Sequence, residues 1–531
     1  MADIQTLGDE GIYVKFPGAA GYPSPSSGGI FAQDTFPSEG YRELRTIKDK
    51  LTGKVIWAHK WRLSCLGLNG TVSMTSTDNK FTRTGNTGRC KDGKTITVSV
   101  TPNPGYKFKQ WKYDTPKYST ITESESGNEL VVEMKEHLDI SAKIDPILIV
   151  ESGGYTRHSP TRNSVRLIGN LYSSDAVNTF SKDGYAEYTI NGTTYIGLYA
   201  SDVGYSGGIF VKAVRGKPSS TSTTGPEHSI NIVTPIPVPY SEDGGATWNE
   251  SETTFCKQHS VCGGMWNGRP RYVIVCDPTT TGSVAGKYVG AWYSSDCKSW
   301  TRSTLGDDPS DQLDDMTHCG YCKLNGNDVF VYTSTCNGGK CYVSLDGGVN
   351  FTKRLNYGGN AYDPGLLGFG GSFNDGNQLV VIRTTYKPNM PSHLYLEIST
   401  DGSTFTEREL DSNAGVDLSG LRSHISRGTP RMAACNGFTI LSVGGLMWRT
   451  EDTDMNTATW SKISETFRDQ YITDLISTGN MFIAVTAGEP LENSDTTPGK
   501  IWTSTDGSTW VVRHEADKLA PSGIAASSGP M

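Results

Sequence analysis

A short pattern returns at nearly constant spacing through the last two-thirds of the chain. It is Ser or Thr, any residue, and Asp, often with Gly directly after the Asp and with an aromatic residue a few positions on. Seven copies of this Ser-x-Asp turn occur, and their aspartates are Asp175, Asp243, Asp296, Asp346, Asp401, Asp452 and Asp506. From Asp243 onward, neighbouring copies lie 50 to 55 residues apart, and the first step is 68 residues. A fixed period of this length indicates a repeat architecture.

A second marker lies upstream of the copies: a dipeptide suited to a tight hairpin turn. The dipeptides are Gly153-Gly154, Asn191-Gly192, Asn267-Gly268, Asn325-Gly326, Asp375-Gly376, Asn436-Gly437 and Thr478-Gly479. Most of them are types that two-residue hairpins prefer, and strand-like runs flank them. The pattern of each unit therefore predicts four antiparallel strands in ~50 residues. Four such strands form one propeller blade. We predict an all-β protein with a β-propeller over residues 146–516. Seven blades are expected, or six if the first unit is not a full blade.

Composition narrows the class of protein further. The chain has 61 glycines in 531 residues, and aromatic residues make up 10% of it. So many rings need a core, which excludes a disordered chain. The net charge of −8 excludes the dense Lys/Arg surface of a nucleic-acid binder. No apolar run approaches the ~18 residues of a membrane span. The first residues also lack the basic and apolar stretches of a secretory signal, so we expect neither a membrane span nor export.

The repeated turn resembles the Asp-box of BNR-type proteins. This resemblance implies a structural role for the seven aspartates, on the face of the propeller that lies opposite the binding surface. Asp-box propellers include sialidases, which grip a carboxylate with three arginines and carry an Arg-Ile-Pro motif before the first box. That motif is absent here, and the nearest phrases, Gly268-Arg269-Pro270-Arg271 and Thr429-Pro430-Arg431, follow later boxes. We therefore assign no catalytic residue.

The chain before the propeller divides into two parts. Residues 64–145 contain strand-like runs around a Gly-Tyr-x-Phe-x-x-Trp core, Gly105 to Trp111, and this core resembles the InlB-type B repeat of bacterial surface and phage proteins. Residues 1–63 are Gly/Pro-rich at first and too irregular to predict a core of their own. They fit an arm that anchors the protein to a partner, and equally a flexible tail. Residues 517–531 are expected to be a C-terminal tail.

Binding is expected on the long loops of the propeller. In a propeller, the hairpin turns and the Ser-x-Asp turns share one end, and the remaining connections share the other. The long connections at this second end are predicted at residues 202–208, 277–287, 384–393 and 487–500. Functional residues are disproportionately carried on such loops over a rigid scaffold.

Two further groups of residues are candidate metal or disulfide sites. The loop at 306–315 packs five carboxylates together, and either a structural calcium site or a solvated acidic loop would explain them: Asp307, Asp308, Asp311, Asp314 and Asp315. Cys319 and Cys322, with Cys336 and Cys341, have a zinc-like spacing, but residues three apart on a strand point to opposite faces. Cys336 and Cys341 flank a short loop and could form a disulfide; ordinary buried thiols are the alternative. No other cofactor is expected.

These features lead to a hypothesis about function. We expect a non-enzymatic phage virion protein, on the tail or its fibres, present in many copies and assembled in the host cytoplasm. Residues 1–63 would contact other virion proteins, and the propeller would contact a host surface glycan or receptor, or a neighbouring virion protein. The alternatives are a sialidase-like glycan hydrolase or depolymerase, and a bacterial cell-surface adhesin. The assignment rests on family resemblance, because a fold alone does not define a function.

Overall fold

A computed structural model describes the chain in two compact units, Met1–Asp145 and Pro146–Met531. The division falls where the sequence predicts the start of the propeller. Backbone and side chains are described for these residues: 60–124, 127–150, 171–181, 202–214, 235–276, 290–305, 318–334, 339–357, 367–385, 392–418, 430–463, 467, 470–486, 499–515 and 523–527. For the other strand residues given below, only the backbone is described.

The first 59 residues contain strands where the sequence predicted an irregular arm or tail. Four of these strands form one sheet in the order β1-β2-β3-β4, and two form a hairpin. Their bounds are β1 (Asp3–Thr6), β2 (Ile12–Lys15), β3 (Ile30–Gln33), β4 (Tyr41–Leu44), β5 (Thr46–Lys48) and β6 (Val55–Ala58). The pairing of these strands is regular, and the anchoring role of residues 1–63 stays a prediction.

The next strands form a small module of two sheets. One sheet has the order β12-β15-β7-β10-β9 and the other β13-β14-β11-β8. The strands are β7 (Lys60–Gly67), β8 (Gly70–Ser76), β9 (Thr82–Thr84), β10 (Thr87–Lys91), β11 (Thr95–Pro102), β12 (Tyr106–Tyr113), β13 (Thr120–Glu123), β14 (Glu129–Glu133) and β15 (Leu138–Pro146).

The core of this module explains its boundary. Alternating residues of the strands point inward, and Trp61, Leu63 and Trp111 are buried in a single apolar cluster. The indole N–H of Trp111 donates to the carbonyl of Gly127 at 2.7 Å, which satisfies the polar end of a buried ring. Because Trp61 and Leu63 belong to the core, the module begins at Lys60, four residues before the predicted start.

The second unit confirms the predicted all-β propeller fold. Its described strands form seven sheets of four or five strands, here sheets 1 to 7, and a separate hairpin of β19 (Glu187–Ile190) and β20 (Thr193–Ile196). Sheet 1 contains β47 (Pro521–Ala526), β16 (Ile149–Gly153), β17 (Leu171–Ser173) and β18 (Ser181–Lys182). Sheet 2 contains β21 (Tyr199–Ser206), β22 (Ile209–Pro218), β24 (Ile236–Ser241) and β25 (Asn249–Phe255), with β23 (Ile230–Asn231) beside β22. Sheet 3 contains β26 (Gln258–Trp266), β27 (Arg269–Cys276), β28 (Gly290–Ser294) and β29 (Thr301–Arg302).

The remaining four sheets repeat this order. Sheet 4 contains β31 (Met316–Leu324), β32 (Asn327–Ser334), β33 (Lys340–Ser344) and β34 (Asn350–Asn356), with β30 (Thr304–Leu305) parallel to β34. Sheet 5 contains β35 (Leu367–Phe373), β36 (Gln378–Thr385), β37 (His393–Ser399) and β38 (Thr406–Glu409). Sheet 6 contains β39 (Arg431–Cys435), β40 (Phe438–Val443), β41 (Leu446–Thr450) and β42 (Ser461–Lys462). Sheet 7 contains β43 (Gln470–Ser477), β44 (Phe482–Gly488), β45 (Lys500–Ser504) and β46 (Val511–Glu515). A 3-10 turn, Ser412–Ala414, precedes sheet 6.

The C-terminal strand closes the propeller. The innermost strands contact one another in the cyclic order β21, β26, β31, β35, β39, β43, β47 and back to β21. Strand β47 pairs with β16, so the innermost strand of sheet 1 comes from the C-terminus and its other three strands from the N-terminal end of the unit. Ile524 is buried in one cluster with Ile147 and Ile149. Residues 517–531 are therefore not simply a tail, because 521–526 complete sheet 1.

The hairpin turns behave as the sequence predicts at several positions and differ in sheets 1 and 2. In sheet 1, Gly153 is the last residue of β16, so the predicted Gly153-Gly154 turn does not connect the first two strands, β47 and β16. The pairs Asn267-Gly268, Asn325-Gly326 and Asn436-Gly437 all have positive φ, as a type I′ turn requires. In sheet 2, however, the turn is Gly207-Gly208, between β21 and β22, whereas Asn191-Gly192 lies between β19 and β20. Residues 202–208 are therefore the end of an innermost strand and a hairpin turn, which corrects their assignment as a long loop.

The Ser-x-Asp turns share a hydrogen-bond pattern. In sheet 4, the Ser344 hydroxyl donates to Asp346 at 2.8 Å and accepts from the Gly348 N–H at 2.9 Å, while Asp346 accepts from the Asn350 N–H at 2.9 Å. The amide of Asn325, in a hairpin turn, donates to the carbonyl of Thr400, in the Ser-x-Asp turn of sheet 5, at 2.7 Å. Hairpin and Ser-x-Asp turns therefore lie at the same end of the propeller, here the turn end. The other end is the loop end.

Some glycines of the propeller lie in the innermost strands and not in the repeated turns, and they allow close packing between strands. A Cβ on Gly204 would lie 2.9 Å from the main chain of Cys262, on the neighbouring innermost strand. A Cβ on Gly263 would overlap the carbonyl group of Tyr205, and one on Gly320 would overlap the ring of Phe369. These glycines let the innermost strands of adjacent sheets approach closely.

Candidate functional site

Many of the predicted site residues lie outside the described part of the chain. These are all five carboxylates at 307–315, loop 277–287, most of loop 384–393 and most of loop 487–500. The calcium site and these loops stay predictions. Among the described residues, no group of three or more His, Cys, Asp or Glu side chains is placed to hold a metal ion.

The described cysteines of the zinc-like set lie in the protein interior. Cys319 is buried between sheets 3 and 4, and Cys322 is buried between sheets 4 and 5, in separate apolar clusters. Burial raises the pKa of Cys322 to about 12, so its thiol stays protonated. Cys341 is buried in the same apolar cluster as Cys322, and Cys336 lies outside the described residues, so the disulfide stays a prediction. The opposite orientation of residues 319 and 322 agrees with the strand argument.

The structure brings four polar residues to equivalent places around the central channel. In four of the innermost strands, a β-bulge (a one-residue shift in register) is followed directly by a polar residue, which is Asp202, Ser260, His318 or Asp474. Bulges re-aim a side chain and are frequent beside functional sites. With Arg431, the first residue of β39, these side chains form the channel ring.

On one side of the channel ring, Asp474 joins three sheets. The Arg431 Nε donates to Asp474 Oδ1 at 2.9 Å, and both side chains are more than nine-tenths buried. The Ile524 N–H, on the closing strand β47, donates to Asp474 Oδ2 at 3.0 Å, and the Leu475 N–H donates to Oδ1 at 2.9 Å. One carboxylate thus connects sheets 6, 7 and 1.

On the other side, Asp202 accepts hydrogen bonds, and no cationic side chain is among the described residues that contact it. Its Oδ1 accepts from the Val203 N–H at 2.8 Å, and its Oδ2 accepts from the Ser260 hydroxyl and from the Val261 N–H at 3.3 Å. Burial, with the negative charge of Asp474, raises the pKa of Asp202 to about 7, although Ser260 and Arg431 oppose the rise. Ser260 also accepts from the Cys319 N–H at 3.0 Å, which connects sheets 3 and 4.

His318 completes the ring with a neutral imidazole. Burial, and then the nearby positive charge of Arg431, hold its pKa well below the ordinary value. Its ring stacks on Phe369, with centroids 6.4 Å apart and planes at 30°. Its Nδ1 atom is buried, and it has no hydrogen-bond partner among the residues that the structure describes. The imidazole can therefore act as a neutral donor or acceptor.

A cavity of about 580 Å³ extends from the channel ring toward the turn end. Its walls include glycines and rings of the innermost strands, such as Gly263, Gly320 and Phe369, and it reaches the hairpin turn at Asp375. The volume is in the range of small-molecule sites. The sequence predicted contacts at the loop end, whereas this cavity opens among the tight turns.

The chemistry of the channel ring has two interpretations. Two buried carboxylates beside a cavity, one of them with a raised pKa, could serve general acid–base catalysis. Here, however, Asp474 and Asp202 each accept main-chain hydrogen bonds from a neighbouring sheet, which is a structural use. Each carboxylate is also fixed by the N–H of the residue that follows it. The geometry favours a polar belt that holds the innermost strands together.

Sequence reasoning missed the channel ring, although a signal was present. Asp474 stands inside the apolar run Tyr471 to Ile476, and a lone carboxylate in a buried strand needs a partner. Arg431 stands in the sequence as part of the Thr429-Pro430-Arg431 phrase, which does not match the sialidase motif. Which strands meet around the channel is decided by ring closure, and this long-range arrangement has no local mark in the sequence.

Together these features define a β-propeller with a polar belt around its channel, preceded in the chain by a small two-sheet β module. Residues 70–137 match the family model of the divergent InlB B-repeat domain, in agreement with the resemblance seen in the sequence. No curated protein matches the chain. Within the described residues, no helix is long and apolar enough to cross a membrane.

Solved structures share the propeller at low identity. The α-L-arabinofuranosidase Arb93A from Fusarium graminearum, in complex with an iminosugar inhibitor, is 14% identical, with 57% of this chain and 92% of that chain covered and a TM-score of 0.35. YCF48 bound to a D1 peptide is 10% identical, with coverages of 64% and 93% and a TM-score of 0.36. The Dos1 propeller is 10% identical, with coverages of 78% and 89% and a TM-score of 0.40.

Proposed function

We propose that this chain is a non-enzymatic structural and binding protein of a phage virion, on the tail or its fibres, assembled in the host cytoplasm. Residues 1–63 attach it to other virion proteins, in many copies. The propeller contacts a host surface glycan or receptor, or a neighbouring virion protein. The B-repeat match at 70–137 supports a modular surface protein, and the Asp-box resemblance supports a propeller built as a rigid scaffold.

The non-enzymatic part rests on one observation: both carboxylates of the channel ring are used to join sheets. Asp474 binds Arg431 and the Ile524 N–H of the closing strand. Asp202 binds Ser260 and the Val261 N–H of sheet 3. A general acid or base must instead reach a proton of the substrate.

The virion part is tested by mass spectrometry of purified particles from the source. Peptides of this chain at a stoichiometric level in the particles are the expected result. Their absence from particles would overturn the proposal, and enrichment in the bacterial envelope fraction would favour a cell-surface adhesin.

A glycan hydrolase is the second candidate, and the raised pKa of Asp202 beside a cavity favours it. Purified protein should be incubated with bacterial capsule and with sialylated glycans, and reducing ends counted. No turnover is expected. Turnover that disappears in Asp202→Asn but persists in the matched exposed variant Glu451→Gln would replace the proposal with the hydrolase.

A further inference from the structure

A second polar cluster lies between sheets 4 and 5, away from the channel ring. The guanidinium carbon of Arg383 lies 4.2 Å from the ring centroid of Tyr357 and 3.9 Å from that of Tyr395. Tyr395 stacks in turn on His393, with centroids 5.9 Å apart and planes at 24°. These four planar side chains form one contiguous group, here the Arg383 stack.

Strand pairing places the stack near the loop end. Arg383 on β36 is directly opposite Tyr395 on β37, which is opposite Glu409 on β38. His393 begins β37 and pairs with Thr385, the last residue of β36. Since alternate residues of a strand share a face, Arg383, Tyr395, Glu409 and His393 lie on one face of sheet 5. The two ends of the predicted loop 384–393 are strand residues at this edge, Thr384 in β36 and His393 in β37.

Three glutamates hold the stack, and they divide it into an inner and an outer half. Arg383 pairs with Glu397 at 2.9 Å, where both side chains are nine-tenths buried, and also with Glu407. His393 Nδ1 lies 2.6 Å from Glu409 Oε1, with side chains 39% and 46% exposed. The inner half has a structural role, because Arg383 of sheet 5 packs on Tyr357 of sheet 4. The outer half, His393 with Glu409, lies at the exposed edge of the stack, and Glu407 also has an exposed carboxylate there beside its pair with Arg383.

We propose that the outer half of the Arg383 stack binds an uncharged pyranose ring of a surface glycan, an inference that rests on the binding role proposed above. The apolar C–H face of the sugar packs on the exposed His393 ring, and the Tyr395 ring stacked against it holds that ring in place. Its hydroxyl groups donate to the carboxylates of Glu407 and Glu409, both about half exposed. Buried ion pairs fix the platform beforehand, which lowers the entropy cost of binding.

The charge of the proposed site determines which sugars it binds. Three carboxylates, Glu397, Glu407 and Glu409, lie in the cluster, and its one arginine is buried and already paired with Glu397 and Glu407. An acidic sugar such as a uronic acid or a sialic acid would place its carboxylate against these glutamates, and like charges across an interface are strongly disfavoured. The site therefore takes neutral hexosides and rejects acidic ones.

Saturation-transfer NMR on the full chain tests this site, with methyl glucoside, methyl galactoside, N-acetylglucosamine and methyl glucuronide as probes. At least one neutral probe should receive saturation on its ring C–H protons, and glucuronide should bind at least tenfold more weakly. His393→Ala should abolish the transfer, and Glu409→Gln should weaken binding about tenfold. The exposed aromatic control Tyr118→Ala should bind like the parent.

Three outcomes would overturn the site: no transfer to any neutral probe, transfer unchanged in His393→Ala, or preferred binding of glucuronide. Unfolding midpoints of the variants within 2 degrees of the parent, on the order of surface substitutions, show that loss of binding is not loss of fold. Sugar binding by a protein that is absent from virions would refute the virion role and leave the site standing. The reverse pair of results would refute the site alone.

Discussion

Replacing Asp474 by Asn should destabilise the propeller strongly, whereas the same replacement of Asp202 should not. The two residues follow equivalent bulges and both are buried. They differ in their partners. Asp474 neutralises the buried guanidinium of Arg431, and Asp202 accepts hydrogen bonds without a cation among its contacts.

The magnitudes follow from these contacts. Removing one member of a buried ion pair leaves an uncompensated charge, which costs about 3–5 kcal/mol. Asp474→Asn leaves Arg431 in that condition and should fall in this range. In Asp202→Asn the amide can still bond to Val203 and Ser260, no charge remains buried, and only the bond from the Val261 N–H is lost. At pH 7 the variant should therefore lose no more than about 1 kcal/mol, and it should be the more stable chain wherever the parent bears the cost of an ionised Asp202.

The pH dependence gives the second half of the test. The pKa of Asp202 is raised to about 7 in the folded chain, above its value of about 3.9 in an unfolded chain. The folded state therefore binds more protons between these values. The contribution to stability is fully present below about pH 4 and is lost as the pH rises through 7, by up to about 4 kcal/mol. Asp202→Asn should flatten this slope.

Urea unfolding of the full chain and both variants at pH 5, 6, 7 and 8, followed by tryptophan fluorescence, measures these differences. The exposed pair offers a control, because Glu451, 71% exposed beside Arg449, should change the stability by less than about 1 kcal/mol when replaced by Gln. Equal losses for Asp202→Asn and Asp474→Asn at pH 7 would refute the distinction between the two carboxylates.

Three further predictions concern the closing strand, the close approach of strands and the repeated turn. A chain that ends at residue 516 lacks β47, so it should lose cooperative unfolding in calorimetry; an unchanged transition would show that sheet 1 closes without it. Gly263→Ala should lower stability by about 1–3 kcal/mol in urea, since the added methyl overlaps Tyr205, and an unchanged midpoint would contradict that contact. Ser344→Ala leaves the buried Gly348 N–H without its acceptor, at a cost of about 1–3 kcal/mol. A smaller loss than in the exposed variant Ser403→Ala would contradict this role.

The local features of this fold could be predicted because each depends on a few neighbouring residues. Asn325-Gly326 forms a tight turn since both residues accept positive φ, and Ser344 with Asp346 binds the main chain of its own turn. Regular spacing of these turns then identified the propeller. The Gly-Tyr-x-Phe-x-x-Trp core identified the B-repeat module in the same way, through a pattern confined to a single turn and strand.

Misassigned segments show where local reasoning failed. Residues 202–208 and 521–526 lie at the two sides of the closure, where the chain leaves its regular period. Their strand character depends on partners far away: β47 pairs with a strand more than 350 residues earlier. A short run such as Ser522 to Ala526 has too little pattern of its own to predict such a partner.

The repeating unit could be predicted from short stretches of sequence, because turn geometry and strand alternation depend on adjacent residues. Which polar residues meet could not, because it depends on how the whole propeller folds. Asp202, Arg431 and Asp474 come together because the innermost strands form a closed cycle, and Arg383 meets Tyr357 because two sheets pack face to face. A buried charge needs a partner of opposite charge or a hydrogen-bond donor close by. Closure of the ring of innermost strands brings such partners together, and that closure involves the whole propeller.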